Sequence, residues 1–237
     1  MSKYEILKWD AEFFGFSVAK ILPKKLDLAD LEKILKELKK KNVKLVYWAT
    51  DNKDKDSQKH AKKFDGFLTG KKITYVKDLT KNTKFPETEL IKIEKYTEKI
   101  PNSDLLNLII QGGIYSRFYV DPKISKKKYE ELHKLWITNS VKNNTIFINK
   151  NRNHIIGFVS LNEKNHRGNI DFIVVEKKYR GKGLATALMN RAHNWFVSKG
   201  YKLVQADAQQ ENINACNMYE RLGYYIEKID SYYHFWL

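Results

Sequence analysis

The sequence predicts a mixed α/β (α+β) protein in two units. A smaller N-terminal α/β domain is expected over residues 1–86, and a domain built on a mixed sheet flanked by helices over residues 87–237. Short runs rich in branched and aromatic residues alternate with segments whose apolar residues recur at helical spacing. The length of 237 residues suits one large domain or two small ones. The polar stretch 80–88, which contains Pro86, is typical of a connector.

In the first half, residues 4–9 and 13–22 are predicted strands because aromatic and branched residues dominate them. An amphipathic helix is indicated by four leucines at helical spacing, with Asp27 as its cap: Leu28, Leu31, Leu35 and Leu38. The remaining predicted elements of this half are a strand at 43–49, a polar helix at 55–63, and one or two strands at 67–76.

In the second half, the predicted helices begin at residues with good capping or apolar character: Ser103 (running to Ile110), Ser125, Leu184 and Asn212. The predicted strands are short and apolar: 90–95, 145–149, 154–161, 170–175, 203–208, 224–229 and 232–237. The order strand, helix, glycine, strand occurs in both 43–76 and 203–235. This internal echo is the basis for the hypothesis that both halves share a related architecture.

The formal net charge of +16 leaves two interpretations open, an anionic partner or a lysine-rich solvated surface. The lysines are scattered along the chain, which favours the second, and nucleic acid is not expected as a partner. Cys216 is the only cysteine, which excludes an internal disulfide and a cysteine metal cluster, and no metal is expected. No apolar run approaches the ~20 residues that span a bilayer, so we expect a cytoplasmic protein without membrane contacts.

Residues 170–185 carry the most informative pattern. An apolar strand runs into Arg180, Gly181, Lys182 and Gly183, and a helix follows at once. Glycines let backbone N–H groups approach a ligand, and the helix start adds unpaired N–H groups and a positive dipole end. Together these features predict an anion site suited to a pyrophosphate. A glycine-rich helix start that binds nothing is the alternative.

Two related phosphate-binding motifs are excluded. A Walker loop requires Gly-x-x-x-x-Gly-Lys-Ser/Thr, which the segment lacks. The dinucleotide fingerprint requires glycine or alanine at the position of Thr186 and an early βαβ unit.

The pattern Arg180-x-x-Gly183-x-Ala185 after a strand resembles the acyl-CoA signature of the GNAT superfamily of N-acyltransferases. A second segment resembles the later helix motif of the superfamily at five positions: Asn212, Ala215, Tyr219, Gly223 and Tyr224. The resemblance covers about residues 87–237. It implies the GNAT fold and acetyl-CoA (CoA) as the cofactor.

The resemblance also implies a cofactor-binding set drawn from one strand, the glycine loop and two helices: Phe172, Ile173, Val174, Val175, Arg180, Gly181, Lys182, Gly183, Leu184, Ala185, Thr186, Asn212, Asn214 and Tyr219. The strand 172–175 is expected to be splayed from its neighbour, so that its free backbone groups pair with the pantetheine arm. An ordinary central strand is the alternative. The two asparagines are expected either to hold the CoA arm or to cap the helix.

For catalysis, the resemblance implies that Tyr219 is the general acid that protonates the departing thiolate, with a core tyrosine as the alternative. His234 is the candidate base because histidine titrates near neutral pH, although a surface histidine is an equal alternative. Water relaying to a carboxylate, such as Asp207 or a residue of the N-terminal domain, is a third option. A covalent route through Cys216 is less favoured, because direct transfer is the rule in the superfamily.

A narrower resemblance links residues 9–15, 115–118 and 233–237 to TDP-fucosamine acetyltransferases and related nucleotide-amino-sugar acetyltransferases. It implies that Tyr115, Arg117 and His234 bind a small-molecule substrate, with a loop tether through Asp121 as the alternative for the first two. The expected reaction is acetylation of a nucleotide-linked (dTDP-type) amino sugar for surface polysaccharide synthesis. A protein or peptide amine acetyltransferase and a non-catalytic CoA-binding regulator are the alternatives, and a homodimer is left open.

Overall fold

The computed structural model describes residues 2–81, 84–87 and 90–237. Its ten strands form one sheet in the order β1-β2-β3-β10-β4-β9-β8-β7-β6-β5. The strands are β1 (Tyr4–Ile6), β2 (Val18–Ile21), β3 (Leu45–Asp51), β4 (Phe67–Asp78), β5 (Ile93–Lys95), β6 (Thr145–Asn151), β7 (His154–Lys164), β8 (Arg167–Val175), β9 (Leu203–Gln209) and β10 (Tyr225–Trp236). Pairing is antiparallel except for β2 with β3 and β8 with β9, which confirms the mixed sheet.

Eight α-helices flank the sheet: α1 (Lys8–Phe14), α2 (Leu28–Lys40), α3 (Lys55–Lys63), α4 (Ser103–Gly112), α5 (Arg117–Val120), α6 (Lys126–Asn143), α7 (Leu184–Ser198) and α8 (Ile213–Arg221), counted over the described residues. The apolar clusters place α2, α3, α7 and α8 on one face of the sheet and α1, α4, α5 and α6 on the other. In the described part of the chain, no helix has both the length and the apolar character needed to cross a membrane.

The two halves of the chain have the same order of elements. Strands and helices follow as β2-α2-β3-α3-β4 in the first half and β8-α7-β9-α8-β10 in the second. The central strand order β2-β3-β10-β4-β9-β8 is unchanged, read in reverse, when the halves are exchanged. The hypothesis of a related architecture therefore agrees with the topology.

Each half inserts its last strand into the other half. β4 lies between β9 and β10, and pairs with β9 from Lys72 to Asp78. β10 lies between β3 and β4, and pairs with β3 from Asp230 to Trp236. The sheet is therefore continuous across the predicted domain boundary at residues 86–87. The division of the chain into two units stays a prediction. Of the predicted connector 80–88, residues 82, 83 and 88 lie outside the described residues.

The structure corrects the sequence predictions at three places. The predicted strands 4–9 and 13–22 are interrupted by α1, which ends at Gly15 in a left-handed conformation (φ 79°). The predicted strands 224–229 and 232–237 form the single strand β10, because polar Asp230 is buried inside it and pairs with Lys24. The cap of α4 is Asn102 and not Ser103, since the Asn102 side chain accepts from the Leu105 N–H at 3.0 Å.

Candidate active site

Strands β8 and β9 separate into a fork. Within the described residues their pairing covers only Gly168–Ile170 of β8 against Val204–Ala206 of β9. Beyond Ile170, β8 continues to Val175 and keeps its pairing with β7. The backbone edge of residues 172–175 that faces away from β7 therefore has no pairing with β9. This separation of the two strands is the splay that the resemblance implied.

A β-bulge marks the start of the fork. Leu161 of β7 pairs with Ile170 and the preceding Ser160 pairs with Phe172, so Asp171 is an extra residue on β8. A bulge bends its strand and changes the side-chain alternation. Asp171 and Phe172 accordingly both contact α6, through Ser140 and Trp136.

The glycine loop after β8 has an open backbone. Gly181 and Gly183 have φ of 76° and 78°, a left-handed conformation that favours glycine. A Cβ placed on Gly181 would meet no atom within 4 Å, so ligand atoms can approach its backbone. Arg180 and Lys182 are exposed beside them, and the Arg180 Nε donates to the Val175 carbonyl at 2.9 Å. One carbonyl of the predicted CoA-binding strand is therefore already used by the loop.

Helix α7 begins without a side-chain cap. Its N-cap position is Gly183, and no described side chain accepts from its first-turn N–H groups, which belong to Leu184, Ala185 and Thr186. By contrast, α2, α3, α4, α6 and α8 all begin with an Asp, Asn or Ser side chain that accepts such an N–H. Uncapped N–H groups and the positive end of the helix dipole form an anion site. The residues present therefore fit the diphosphate of CoA.

The equivalent position in the first half lacks these features. β2 leads to α2 through residues 22–27, which contain no glycine. The side chain of Asp27 caps α2 by accepting from the Asp30 N–H at 2.7 Å. A carboxylate at this point satisfies the helix start and repels phosphate. Of these two equivalent helix starts, only that of α7 has the features predicted for an anion site.

Tyr219 lies on α8, on the face of the sheet that also carries α7. It is 3% exposed, and its ring packs against those of Tyr75 and Tyr224, each with its centroid 5.3 Å away. Burial raises the pKa of Tyr219 above its ordinary value of 10.0, and the negative charge of Asp207 adds to the effect. The phenol is therefore protonated at neutral pH, the state required of a proton donor.

The two asparagines of the predicted site differ in their contacts. The Asn212 side chain caps α8 by accepting from the Ala215 N–H at 3.3 Å, which is the capping alternative stated above. Asn214 is exposed in the first turn of the same helix. Their contact with CoA stays a prediction.

His234 lies on β10 and is completely buried, so the alternative of a surface histidine is wrong. Its Nδ1 is 2.6 Å from Asp121 Oδ2, and its ring packs against Tyr47 with 4.8 Å between centroids. Burial lowers its pKa, and the Asp121 hydrogen bond opposes that effect. Its Nε2 is buried without a partner among the described residues. The His234 side chain is thus closed off from solvent in this structure, and a role as base stays a prediction.

Arg117 and Tyr115 lie in the segment before α6, and both are half-buried. The Arg117 guanidinium stacks on the ring of Tyr47 at 4.0 Å and lies 5.7 Å from that of Tyr232. It forms no ion pair with any carboxylate of the described residues. Asp121 accepts from His234 and Trp236 instead, so it does not tether Arg117. The cation is stacked on aromatic rings and is not neutralised by a described carboxylate.

Cys216 is buried on α8, and burial raises the pKa of its thiol. A neutral thiol is a weak nucleophile, so the structure disfavours a covalent route through it.

Sequence reasoning missed residues that the first half contributes to this region. Lys72 and Thr74 of β4 reach Asp207 on β9, and Tyr75 packs against Tyr219. No local pattern signals these contacts, because they depend on the strand exchange. Among the described residues, no group of three or more His, Cys, Asp or Glu side chains is arranged to hold a metal ion.

Comparisons with known proteins found relatives among curated proteins and solved structures. The spore coat polysaccharide biosynthesis protein SpsD of Bacillus subtilis (strain 168) is 25% identical over 123 residues, which are 51% of this chain and 43% of that protein. Streptothricin acetyltransferase of Escherichia coli is 33% identical over 79 residues, 33% of this chain and 45% of that protein. The chain thus spans less than half the length of these two curated relatives.

A crystal structure of a GCN5-related N-acetyltransferase from Sphaerobacter thermophilus shares the fold, with a TM-score of 0.63 at 13% identity over 98% of this chain and 76% of that one. The family model described as Acetyltransferase (GNAT) family matches residues 113–224, which include the fork, the glycine loop and Tyr219. Residues 113–224 are therefore similar to the GNAT acetyltransferase family, and the whole chain shares the fold of a GCN5-related N-acetyltransferase.

Proposed function

We propose that this protein is an acetyl-CoA-dependent N-acetyltransferase that acetylates the amine of a small substrate by direct attack in a ternary complex. The observation that carries the proposal is the uncapped start of α7, which follows two left-handed glycines beside the β8–β9 fork. The short helices α1 and α5 also begin without a side-chain cap, but among the described helices only α7 directly follows two left-handed glycines.

Different residues bind different parts of acetyl-CoA. The backbone N–H groups of residues 181–186 hold the diphosphate, with Arg180 and Lys182 adding positive charge. The unpaired edge of residues 172–175 offers backbone groups to the pantetheine amides, as an added strand would. When bound, acetyl-CoA supplies the acetyl thioester.

Tyr219 acts as the general acid. Its protonated phenol delivers a proton to the thiolate as the carbon–sulfur bond breaks, which makes the thiolate a better leaving group. A backbone N–H at the start of the unpaired edge, next to the bulge, stabilises the oxyanion formed when the amine attacks.

We further propose that the acceptor is a nucleotide-linked amino sugar, as a dTDP derivative. Arg117 supports this choice, because a cation stacked on aromatic rings and without a carboxylate partner suits a diphosphate, and aromatic surfaces suit a base. The name of the Bacillus relative refers to polysaccharide biosynthesis, and that of the Escherichia coli relative to acetylation of a small molecule.

The test uses the purified chain with acetyl-CoA and a panel of dTDP- and UDP-linked amino sugars, beside a lysine-containing peptide. Release of free CoA thiol and the mass of each acceptor are followed together, and CoA binding is measured separately by calorimetry. We expect CoA binding and acetylation of at least one sugar. If CoA does not bind, the whole proposal fails. If CoA binds and the peptide alone is acetylated, the substrate class is wrong.

A further inference from the structure

Two carboxylates stand at the point where the fork opens. The last paired residues are Ile170 of β8 and Ala206 of β9, and the next residue on each strand is an aspartate, Asp171 and Asp207. Their surroundings differ in a way that separates their roles.

Both carboxylate oxygens of Asp207 accept hydrogen bonds from described residues. Its Oδ1 accepts from Thr74 Oγ1 at 2.7 Å, and its Oδ2 accepts from Lys72 Nζ at 3.1 Å and from Lys164 Nζ at 3.3 Å. The two ammonium groups outweigh burial and lower its pKa. Such a carboxylate stays ionised and paired, which makes it a poor proton acceptor.

Asp171 has only neutral donors and one open oxygen. Ser140 Oγ at 3.1 Å and Asn144 Nδ2 at 3.0 Å both donate to Oδ2, and no described residue donates to Oδ1. Asn144 Nδ2 also contacts Ser160 Oγ at 3.0 Å, which fixes the amide. Burial dominates and raises the pKa of Asp171 above 3.8. The residue is half-buried and not sealed in the core.

The bulge explains why the carboxylate sits there. Without the extra residue, Asp171 and Phe172 would point to opposite faces of the sheet. With it, both contact α6, and Asp171 lies on the face opposite to Tyr219. The fork opens between these two faces.

From this arrangement we infer that Asp171 is the general base that takes the proton from the acceptor amine. The inference rests on the proposed function and deepens it, because it assigns the group that the sequence left open. In the step, the amine nitrogen bonds to the thioester carbon and the carbon–sulfur bond breaks. The proton leaves nitrogen for Asp171 Oδ1, and the sulfur takes a proton from Tyr219.

The groups around Asp171 determine the direction in which its pKa is shifted. The segment of α6 and its C-terminal cap present neutral Ser140 and Asn144. Strand β7 presents neutral Ser160 and the ammonium of Lys164, which lowers the pKa of Asp171 by less than burial raises it. Strand β9 presents Asp207, whose charge Lys72 and Lys164 balance.

The test is the pH profile of kcat/KM, measured with the amino sugar that the panel identifies. The wild type should lose activity as Asp171 is protonated at acid pH. Asp171→Asn should lower kcat about 100-fold at neutral pH, as expected for loss of a general base, and the acid limb set by Asp171 should be replaced by a rise in activity at higher pH. Raising the pH should restore part of the activity, because solvent then deprotonates the amine. CoA affinity should stay within about twofold of wild type, less than ~0.5 kcal/mol.

Two further variants serve as controls. Asp207→Asn is the matched carboxylate on the neighbouring strand, and it should keep the acid limb whatever its kcat. Ser140→Ala removes a donor that favours the charged form, so it should move the acid limb to higher pH.

The outcomes separate the two proposals. If the wild type acetylates no amine of the panel, the proposed function itself fails. If the wild type is active and Asp171→Asn keeps its kcat and acid limb, the base assignment is overturned while the function stands. Should Asp171→Asn not fold, an acid limb that Ser140→Ala leaves unmoved overturns the assignment.

Discussion

The ring of Tyr219 on α8 stacks on that of Tyr75 on β4, with centroids 5.3 Å apart and planes 29° apart. The two residues come from opposite halves of the chain and meet because β4 lies beside β9. The Tyr75 hydroxyl donates to Glu220 at 3.1 Å, which ties β4 to α8 next to the candidate acid. The first half thus supplies one of the rings that pack against the proposed catalytic group.

Replacing Tyr219 with phenylalanine should lower kcat by about 100-fold, because the thiolate would leave without a positioned proton donor. CoA affinity should stay within about twofold, since the ring and its stacking are kept. Tyr75→Phe is the matched control and should keep most of the wild-type kcat. Steady-state kinetics with calorimetry measure both quantities, and a Tyr219→Phe enzyme with wild-type kcat would remove the acid role.

The glycine loop is tested by two glycines at opposite ends of α7. Gly183 and Gly200 have φ of 78° and 79°, so alanine at either should cost roughly 1–2 kcal/mol of unfolding free energy. Only Gly183→Ala should also weaken CoA binding, by about tenfold or ~1.4 kcal/mol, because the N–H groups it orients belong to the anion site. Calorimetry and urea unfolding compare the two variants. Equal CoA affinities would contradict the proposed site.

Replacing Cys216 with alanine should change kcat by less than about threefold, or ~1 kcal/mol, because a buried thiol with a raised pKa is mostly neutral. Intact-mass measurement after mixing wild type with acetyl-CoA alone should show no acetylated protein. An acetylated species that disappears in Cys216→Ala would revive the covalent route.

Stability should fall below neutral pH partly through His193. Burial lowers its pKa from 6.5 to about 3, and Lys77 contributes repulsion. Because the folded pKa is the lower one, the unfolded chain binds the proton first as the pH falls through 6.5. Between pH 7 and pH 5 this linkage should remove up to about 2 kcal/mol of unfolding free energy.

Urea unfolding of wild type and His193→Gln at both pH values measures this contribution. His193 Nε2 lies 2.8 Å from the Tyr224 hydroxyl, so the variant should be less stable at pH 7. The loss between the two pH values should nevertheless be smaller in the variant. An equal or larger loss would show that another group causes the acid sensitivity.

Residues 87–237 expressed alone should not form a cooperative fold. Without β4, the paired edges of β9 and β10 lose their common neighbour, and Tyr219 loses the cover of Tyr75. Near-ultraviolet circular dichroism and urea unfolding should show lost tertiary structure, and co-expression with residues 1–86 should restore it. A cooperative transition in the isolated segment would show that the exchange is dispensable.

The sequence predicted the features that depend on interactions between residues close together in the chain. Asp27 and Ser125 cap α2 and α6 as expected, since a capping side chain bonds to a backbone group three residues away. The strand, glycine turn and helix at 167–198 were also predictable for this reason. Helix α1 was missed because its aromatic residues resemble a strand, while Trp9 and Phe13 stack along one face of the helix.

Long-range placement was not predictable from one sequence. The insertion of β4 beside β9 depends on residues that are more than a hundred positions apart. The bulge at Asp171 depends on register with β7, and the apolar pattern of 170–175 contains no sign of it. The enclosure of His234 by Tyr47 and Asp121 likewise joins three distant segments. These features decide which of the candidate site residues lie at the fork.

The reciprocal exchange of β4 and β10 also sets an order for biosynthesis. A ribosome releases β2, β3 and β4 well before β9 and β10 exist, so the inner edges of β3 and β4 wait through the translation of more than half the chain. Exposed strand edges invite association with other chains during that interval. The nascent first half therefore presents unpaired strand edges until β9 and β10 have been made.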